Sequence, residues 1–247
     1  MGIRRLLTYC LTEENHCYET VDLVQIAQQH HDGIEILVDY YNFVNYFRCK
    51  FVKELSVQAN NSYLCLMGAE YVSLDKQICN MLTKLKNCNI KLRFYIDGGQ
   101  GTNPEEKRQK MEVWRRRHCR DVDSLNDSLN VCCGDVDISN FDMDRCVRPV
   151  LSDIQVMASI KSCGFEIVQI SNGEADAVIA KDFLMRPNVY AILSSDSDFV
   201  VFKHSYLIPN NFFDMNKNLQ FTENDSFIPS SIICGVIQNR KVVSRLN

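Results

Sequence analysis

Six carboxylates stand where short apolar runs give way to polar residues. Asp39 closes Leu37-Val38-Asp39, and Asp97 closes Tyr95-Ile96-Asp97-Gly98-Gly99. Glu174 and Asp176 follow Ser171-Asn172-Gly173, and Asp196 and Asp198 lie within Ser194-Ser195-Asp196-Ser197-Asp198-Phe199. If the runs are parallel strands of one sheet, their carboxyl ends share the edge where ligands and chemistry gather. Acids crowded there cannot all stay ionised unassisted. Divalent cations relieve the repulsion, and hard oxygen donors suit Mg²⁺ or Mn²⁺, which also take substrate phosphates as ligands. Two such ions about 3.5–4 Å apart activate a water and stabilise the leaving oxygen of an in-line phosphodiester displacement. That chemistry needs no serine, cysteine or histidine nucleophile, and no motif for one is apparent.

Each acid also has an ordinary local use. Glu174 and Asp176 suit a helix N-terminus, and Asp196 and Asp198 suit a turn after a strand. Asp39 can cap the following helix, and Asp97-Gly98 is a common turn pair. Their joint position at four run ends favours a shared metal site. Residues two apart share a face in extended chain, so Asp196 and Asp198 are expected to point together. On a helix they would diverge. Glu174 therefore has to precede the first turn, with Asp176 just inside it. A phosphatase using Asp39 as nucleophile is a weaker idea, since its second acid belongs where Tyr41 stands.

The elements that must position these acids are legible from periodicity. Strands are expected at 34–38, 91–96, 165–170 and 189–193. Helices are expected at 41–55, 74–87, 104–120, 150–163 and 175–184, the last with its core face at Ala175, Val178, Ile179 and Phe183. Strands alternating with helices define an α/β class with a mainly parallel, twisted sheet flanked by helices. Between Asp121 and Asp144 stand seven aspartates and no lysine or arginine, which reads as a long surface loop or insertion able to meet a protein partner.

A net charge of −4 over 247 residues does not favour nucleic acid, so any such binding must come from a local basic stripe. The twelve cysteines are scattered, and no secretory signal opens the chain, so reduced thiols in an intracellular protein are expected. There is no C-x-x-C, and His118, Cys119, Cys132, Cys133 and Cys146 match no common zinc module. Gly2 lacks the serine or threonine of a myristoylation signal, and no apolar run reaches membrane-spanning length.

In their order and wording, Met1-Gly2-Ile3-Arg4-Arg5-Leu6, Leu37-Val38-Asp39, Ile96-Asp97-Gly98-Gly99, Glu174-Ala175-Asp176 and Ser194-Ser195-Asp196-Ser197-Asp198-Phe199 resemble the flap-endonuclease or XPG-like nucleases of the PIN-like fold. Within that group the wording is most similar to the asteroid proteins. The resemblance implies a single nuclease domain over 1–247, with an acidic loop insertion at about 121–148, that ends before the family's helical DNA-binding element. It implies Asp39, Asp97 and Glu174 at one metal ion and Asp176, Asp196 and Asp198 at a second, with Mg²⁺ or Mn²⁺ as cofactor. Gly2 is expected beside the cleft. Lys107 and Arg108, with Arg115 further along a basic helix after the second acid, are expected to meet phosphate. The ordinary use of such a helix is a solvated face of acid–base pairs such as Glu106 with Lys110, and Trp114 is expected to pack rather than stack on a base. The implied partner is single-stranded, flap or overhang DNA, with RNA possible, in a nuclear repair setting and away from membranes. The rival implication is an inactive scaffold in signalling or nucleic-acid binding.

Overall fold

The computed structural model describes residues 3, 5–12, 15, 17–58, 71–99, 103–134, 152–171, 174–213 and 228–246. The four expected strands form as β2 (Ile34–Asp39), β3 (Ile90–Ile96), β4 (Glu166–Gln169) and β5 (Val189–Leu193). They lie side by side and parallel in the order β5-β2-β3-β4. Three further strands widen this to a seven-stranded sheet: β1 (Tyr18–Asp22), β6 (Tyr206–Ile208) and β7 (Ile233–Gln238), in the full order β1-β7-β6-β5-β2-β3-β4. β6 continues the parallel set from β5, while β7 runs antiparallel to both β6 and β1.

Helices cover both faces of the sheet. In chain order they are α1 (Leu6–Leu11), α2 (Leu23–Gln29), α3 (Tyr40–Gln58), α4 (Tyr71–Asn87), α5 (Pro104–Cys132), α6 (Ser152–Ser162), α7 (Ala175–Met185), α8 (Asp198–Val201) and α9 (Asn239–Leu246). Alternate residues along each strand feed opposite cores, as the two-residue repeat requires. Ile36, Val38, Phe94 and Leu193 pack with Phe43, Phe47, Leu74, Met81 and Ile160 from α3, α4 and α6. Leu37, Tyr95 and Ile192 face the other way, against Ile179 of α7, Phe199 of α8 and Val242 of α9. A sheet buried on both faces explains why its central strands read as nearly continuous apolar runs.

Two expectations change. The stretch after Asp121 was expected to be a loop, but α5 runs on to Cys132, through Val122, Leu125 and Leu129 at helical spacing. Asn103 caps its start by accepting the Glu105 N–H at 2.9 Å, with Pro104 in the first turn. The rest of the proposed insertion, 135–148, lies outside the described residues. Trp114 does not pack into a core; it is 40% exposed on α5. His118 and Cys119 sit roughly 20 Å along this helix from Cys132 and Cys133, at 1.5 Å per residue, so they cannot share one ion with them; Cys146 lies outside the described residues. The nine cysteines whose side chains are described are free thiols. Among the described residues no helix is long and apolar enough to cross a membrane.

Candidate active site

The chain winds from β2 to β3 to β4, then returns to the far side of β2 as β5. That reversal opens a crevice at the carboxyl ends of β2 and β5, the usual binding position in an open parallel sheet. Asp39 is the last residue of β2, and Asp196 follows β5 by three positions. Asp97 directly follows β3, and Glu174 and Asp176 stand where the chain leaves β4 and enters α7.

Local hydrogen bonds fix each acid. Asp39 Oδ1 accepts the Asn42 N–H at 3.3 Å in the first turn of α3, and its Oδ2 accepts the Ser194 hydroxyl at 3.2 Å. Asp97 Oδ1 accepts the Ala175 N–H at 2.8 Å, tying the start of α7 to the end of β3. The Tyr95 hydroxyl makes a second tie, donating to Asp182 Oδ2 at 2.5 Å. Glu174 is the N-cap of α7 with extended backbone, and Asp176 lies in its first turn, the arrangement that their spacing demands. Asp196 donates its N–H to Ser194 Oγ at 3.0 Å, and its Oδ1 accepts the Asp198 N–H at 3.1 Å.

Asp198 departs from expectation. Ser197 is helical and Asp198 opens α8, so the pair does not share an extended face. The Asp198 carboxylate instead accepts the Ile3 N–H at 3.0 Å, while Ser197 Oγ donates to the Ile3 carbonyl at 3.1 Å. These bonds fasten the N-terminal segment beside the acids; Gly2 itself lies outside the described residues.

The electrostatics bind five of the six acids into one neighbourhood. Burial raises the Asp39 carboxyl from 3.8 to about 6; the Asn42 and Ser194 hydrogen bonds oppose the rise, and the charges of Asp97 and Asp196 add to it. Burial raises Asp176 to about 7, reinforced by Asp39, Asp196, Asp97 and Glu174. A cleft of about 310 Å³ opens beside them, lined by Ile3, Arg5, Asn42, Ser195, Asp196 and Ser197 among others.

Asn42 and Asn210 organise this edge, although no motif singled them out. Asn42 Oδ1 accepts the Ser195 N–H at 2.8 Å and the Asn210 Nδ2 group at 2.6 Å, and Asn210 Nδ2 also reaches the Asn42 carbonyl at 3.2 Å. The one available signal was the place of Asn42, three residues after Asp39 in the first turn of a helix. Of the expected phosphate contacts, Arg108 pairs with Glu105 at 2.8 Å and Arg115 with Glu112 at 2.9 Å, both on the solvated face. Lys107 is exposed on the same helix. Lys110 Nζ lies 3.4 Å from the carbonyl of Gly98, the residue after Asp97.

The acid edge fits divalent metal in donor type and in field. Its donors are all carboxylate oxygens, and burial, with the charges of neighbouring acids, raises two of them, Asp39 and Asp176, to about 6 and about 7. A cation would hold both ionised. Among the described residues no three Asp, Glu, His or Cys side chains close on a single point as they stand.

This seven-stranded, mostly parallel sheet flanked by helices is the fold of the flap-endonuclease and PIN-like nucleases. No protein-family model matches the chain, and no curated protein matches it. Solved structures do. The catalytic core of Rad2 in complex with DNA substrate superposes with a TM-score of 0.50 at 15% identity, over 98% of this chain and 55% of that one. A second Rad2 catalytic-core structure gives 0.50 at 14%, over 100% and 54%. Flap endonuclease-1 from Methanococcus jannaschii gives 0.50 at 12%, over 93% and 62%. The chain thus spans between about half and three-fifths of the length of the structures it matches. At these identities the likeness establishes the fold.

Proposed function

We propose that this chain is a divalent-metal-dependent nuclease that hydrolyses phosphodiester bonds in single-stranded, flap or overhang DNA, in a nuclear repair setting. The carrying observation is the meeting of Asp39, Asp97, Glu174, Asp176 and Asp196 at the ends of four adjacent parallel strands, with Asp39 and Asp176 raised by burial and then by neighbouring acids. In this reading Asp39, Asp97 and Glu174 hold one Mg²⁺ or Mn²⁺, and Asp176, Asp196 and Asp198 hold the other. Ions so placed supply an activated water and stabilise the leaving oxygen. Asn42 and Ser194 keep Asp39 and the Asp196 turn oriented. Lys107, Arg108 and Arg115 on α5, with Lys110 near Gly98, offer cations for the phosphate backbone. Gly2 belongs beside the same cleft. DNA is favoured over RNA because the Rad2 core of this fold was captured on a DNA substrate. The asteroid-like motif wording is compatible with this site.

The second reading is a non-catalytic scaffold of the asteroid type. It draws on the pairing of Arg108 and Arg115 with glutamates and on the unconverged acids. A panel of single-stranded, flap, overhang and duplex DNAs with matched RNAs, incubated with Mg²⁺ or Mn²⁺, separates the two. The nuclease reading expects metal-dependent cleavage of branched or single-stranded DNA that falls at least ~100-fold in Asp196→Asn. Cleavage undiminished in Asp196→Asn, or absent from the wild type on every substrate, would sink it.

A further inference from the structure

Arg5 holds a left-handed backbone conformation, φ 64° and ψ 0°, immediately before α1. Among the described residues only Asn89 and His204 join it as non-glycines with positive φ, and asparagine and histidine are types that take this region often. Arginine is not. Its Cβ crowds the following carbonyl there, and glycine would adopt the same backbone without that cost. Strain of this kind persists only where the surroundings impose it, and it gathers at sites where a side chain is used.

The surroundings impose it from both sides. Two residues earlier, Ile3 is tied by its N–H to Asp198 and by its carbonyl to the Ser197 hydroxyl. Five residues later, Cys10 is fully buried in the core on the α7 side of the sheet, with Leu6 and Leu7 packed against it. Arg5 is thereby fixed on the wall of the cleft beside the acids, which it lines with Asn42, Ser195, Asp196 and Ser197. It is the one basic residue on that wall among the described residues. It is exposed, and among the described residues its side chain makes no hydrogen bond or ion pair. Arg108, Arg115 and Arg116 on α5 are, by contrast, paired with glutamates.

The position along the sheet gives this cation a use. Asp196 and Asp198 follow β5, whereas Lys110, near Gly98, stands by the end of β3 with β2 between. Without Arg5, a polyanionic strand crossing the edge would meet only acids at the β5 end of the described cleft. Resting on the nuclease reading, we infer that Arg5 is a substrate-binding residue for a single DNA strand. Its guanidinium takes the phosphodiester next to the one held at the acids, on the β5 side, through the two-pronged contact that arginine makes with phosphate. The strand therefore has to continue past the scissile bond on that side. The left-handed backbone is kept by arginine because the side chain, rather than the turn, is what the position supplies.

The test is fluorescence anisotropy of a labelled single-stranded oligodeoxynucleotide with the full chain in Ca²⁺, which takes carboxylate ligands. It is repeated from about 50 to about 200 mM salt, beside calorimetric titration of each protein with Mn²⁺. Arg5→Gln and Arg5→Gly should weaken binding about fivefold at the lowest salt and reduce the slope of log K against log salt by about 0.7. Arg5→Lys should keep the wild-type slope. Mn²⁺ binding should be unchanged in all three, and Arg5→Gly should melt at or above the wild-type temperature, so that lost binding is not lost fold. Lys91→Gln, which removes an exposed charge near the opposite end of β3, should leave the slope alone. Wild-type affinity and slope in Arg5→Gln overturn the inference, as does weaker binding with an unchanged slope, or an equal fall in Lys91→Gln. A wild type that binds Mn²⁺ but no oligonucleotide overturns this inference alone; one that binds neither overturns the nuclease reading with it.

Discussion

Replacing Asp39 by asparagine should stabilise the metal-free chain at neutral pH while weakening its hold on metal. The rise of the Asp39 carboxyl from 3.8 to about 6 means that the native state binds this proton more tightly than the unfolded chain does. Stability therefore falls as pH rises through the window from about 3.8 to about 6, and above it the ionised group costs the native state about 3 kcal/mol. Asparagine removes that charge but keeps an oxygen for the Asn42 N–H, while its fit to the Ser194 hydroxyl is poorer. A net gain of about 1–2 kcal/mol at pH 8 is the expected remainder, or roughly 3–6 °C in Tm for a chain of this size. The gain should shrink as pH falls, reach zero near pH 5 and reverse below it, where the native-state carboxyl is protonated and the poorer fit to Ser194 is left. In millimolar Mn²⁺ at pH 8 the order should invert, because the wild type then gains binding free energy that the variant forgoes. Thermal denaturation of both proteins across pH 4–8, with EDTA or Mn²⁺, reads all of this. An Asp39→Asn protein less stable than wild type at pH 8 in EDTA, or a difference that does not change with pH, would refute the reasoning.

Asn42→Ala removes the acceptor shared by the Ser195 N–H and Asn210 Nδ2, and should cost about 2 kcal/mol in urea denaturation. It should also raise the Mn²⁺ concentration needed for half-maximal thermal stabilisation, since the Asp196 turn loses its anchor. Gly33 has φ +70°, and a Cβ there would lie 2.0 Å from the Asn89 carbonyl oxygen, so Gly33→Ala should destabilise by at least ~3 kcal/mol. Gly99→Ala meets nothing within 4 Å and should leave the midpoint nearly unmoved, which makes it the matched control.

The central strands of the sheet were legible because they are mostly buried on both faces and read as nearly continuous apolar runs. The missed strands lack that signal for separate physical reasons. β1 is partly buried along its length and carries Glu19 and Asp22, as an edge strand can. β6 is three residues long. β7 holds Gly235 against the Phe212 ring, where a Cβ would lie 2.7 Å from Cδ2; glycine in a strand reads as a turn until its neighbour is known. Aspartates misled the reading after Asp121 because composition outweighed the helical spacing of Val122, Leu125 and Leu129. At the acid edge, the roles of Asp39, Asp97, Glu174 and Asp176 as strand-end or helix-start residues followed from spacing. The turning of Asp198 toward Ile3 did not, because it depends on a contact 195 positions away. Asn42 and Asn210 stayed hidden for the same reason, being 168 positions apart.

Binding of divalent cations at the sheet edge through these acids is measured most directly by calorimetric titration with Mn²⁺, without reference to substrate. The wild type should bind about two ions, with proton release that grows as the titration is repeated from pH 8 down to pH 6.5, where more of Asp39 and Asp176 starts protonated. Asp97→Asn and Asp176→Asn should each lose at least one ion while remaining folded by circular dichroism. A wild type that takes up no Mn²⁺, or variants that bind the same number of ions with the same proton release, would contradict the claim.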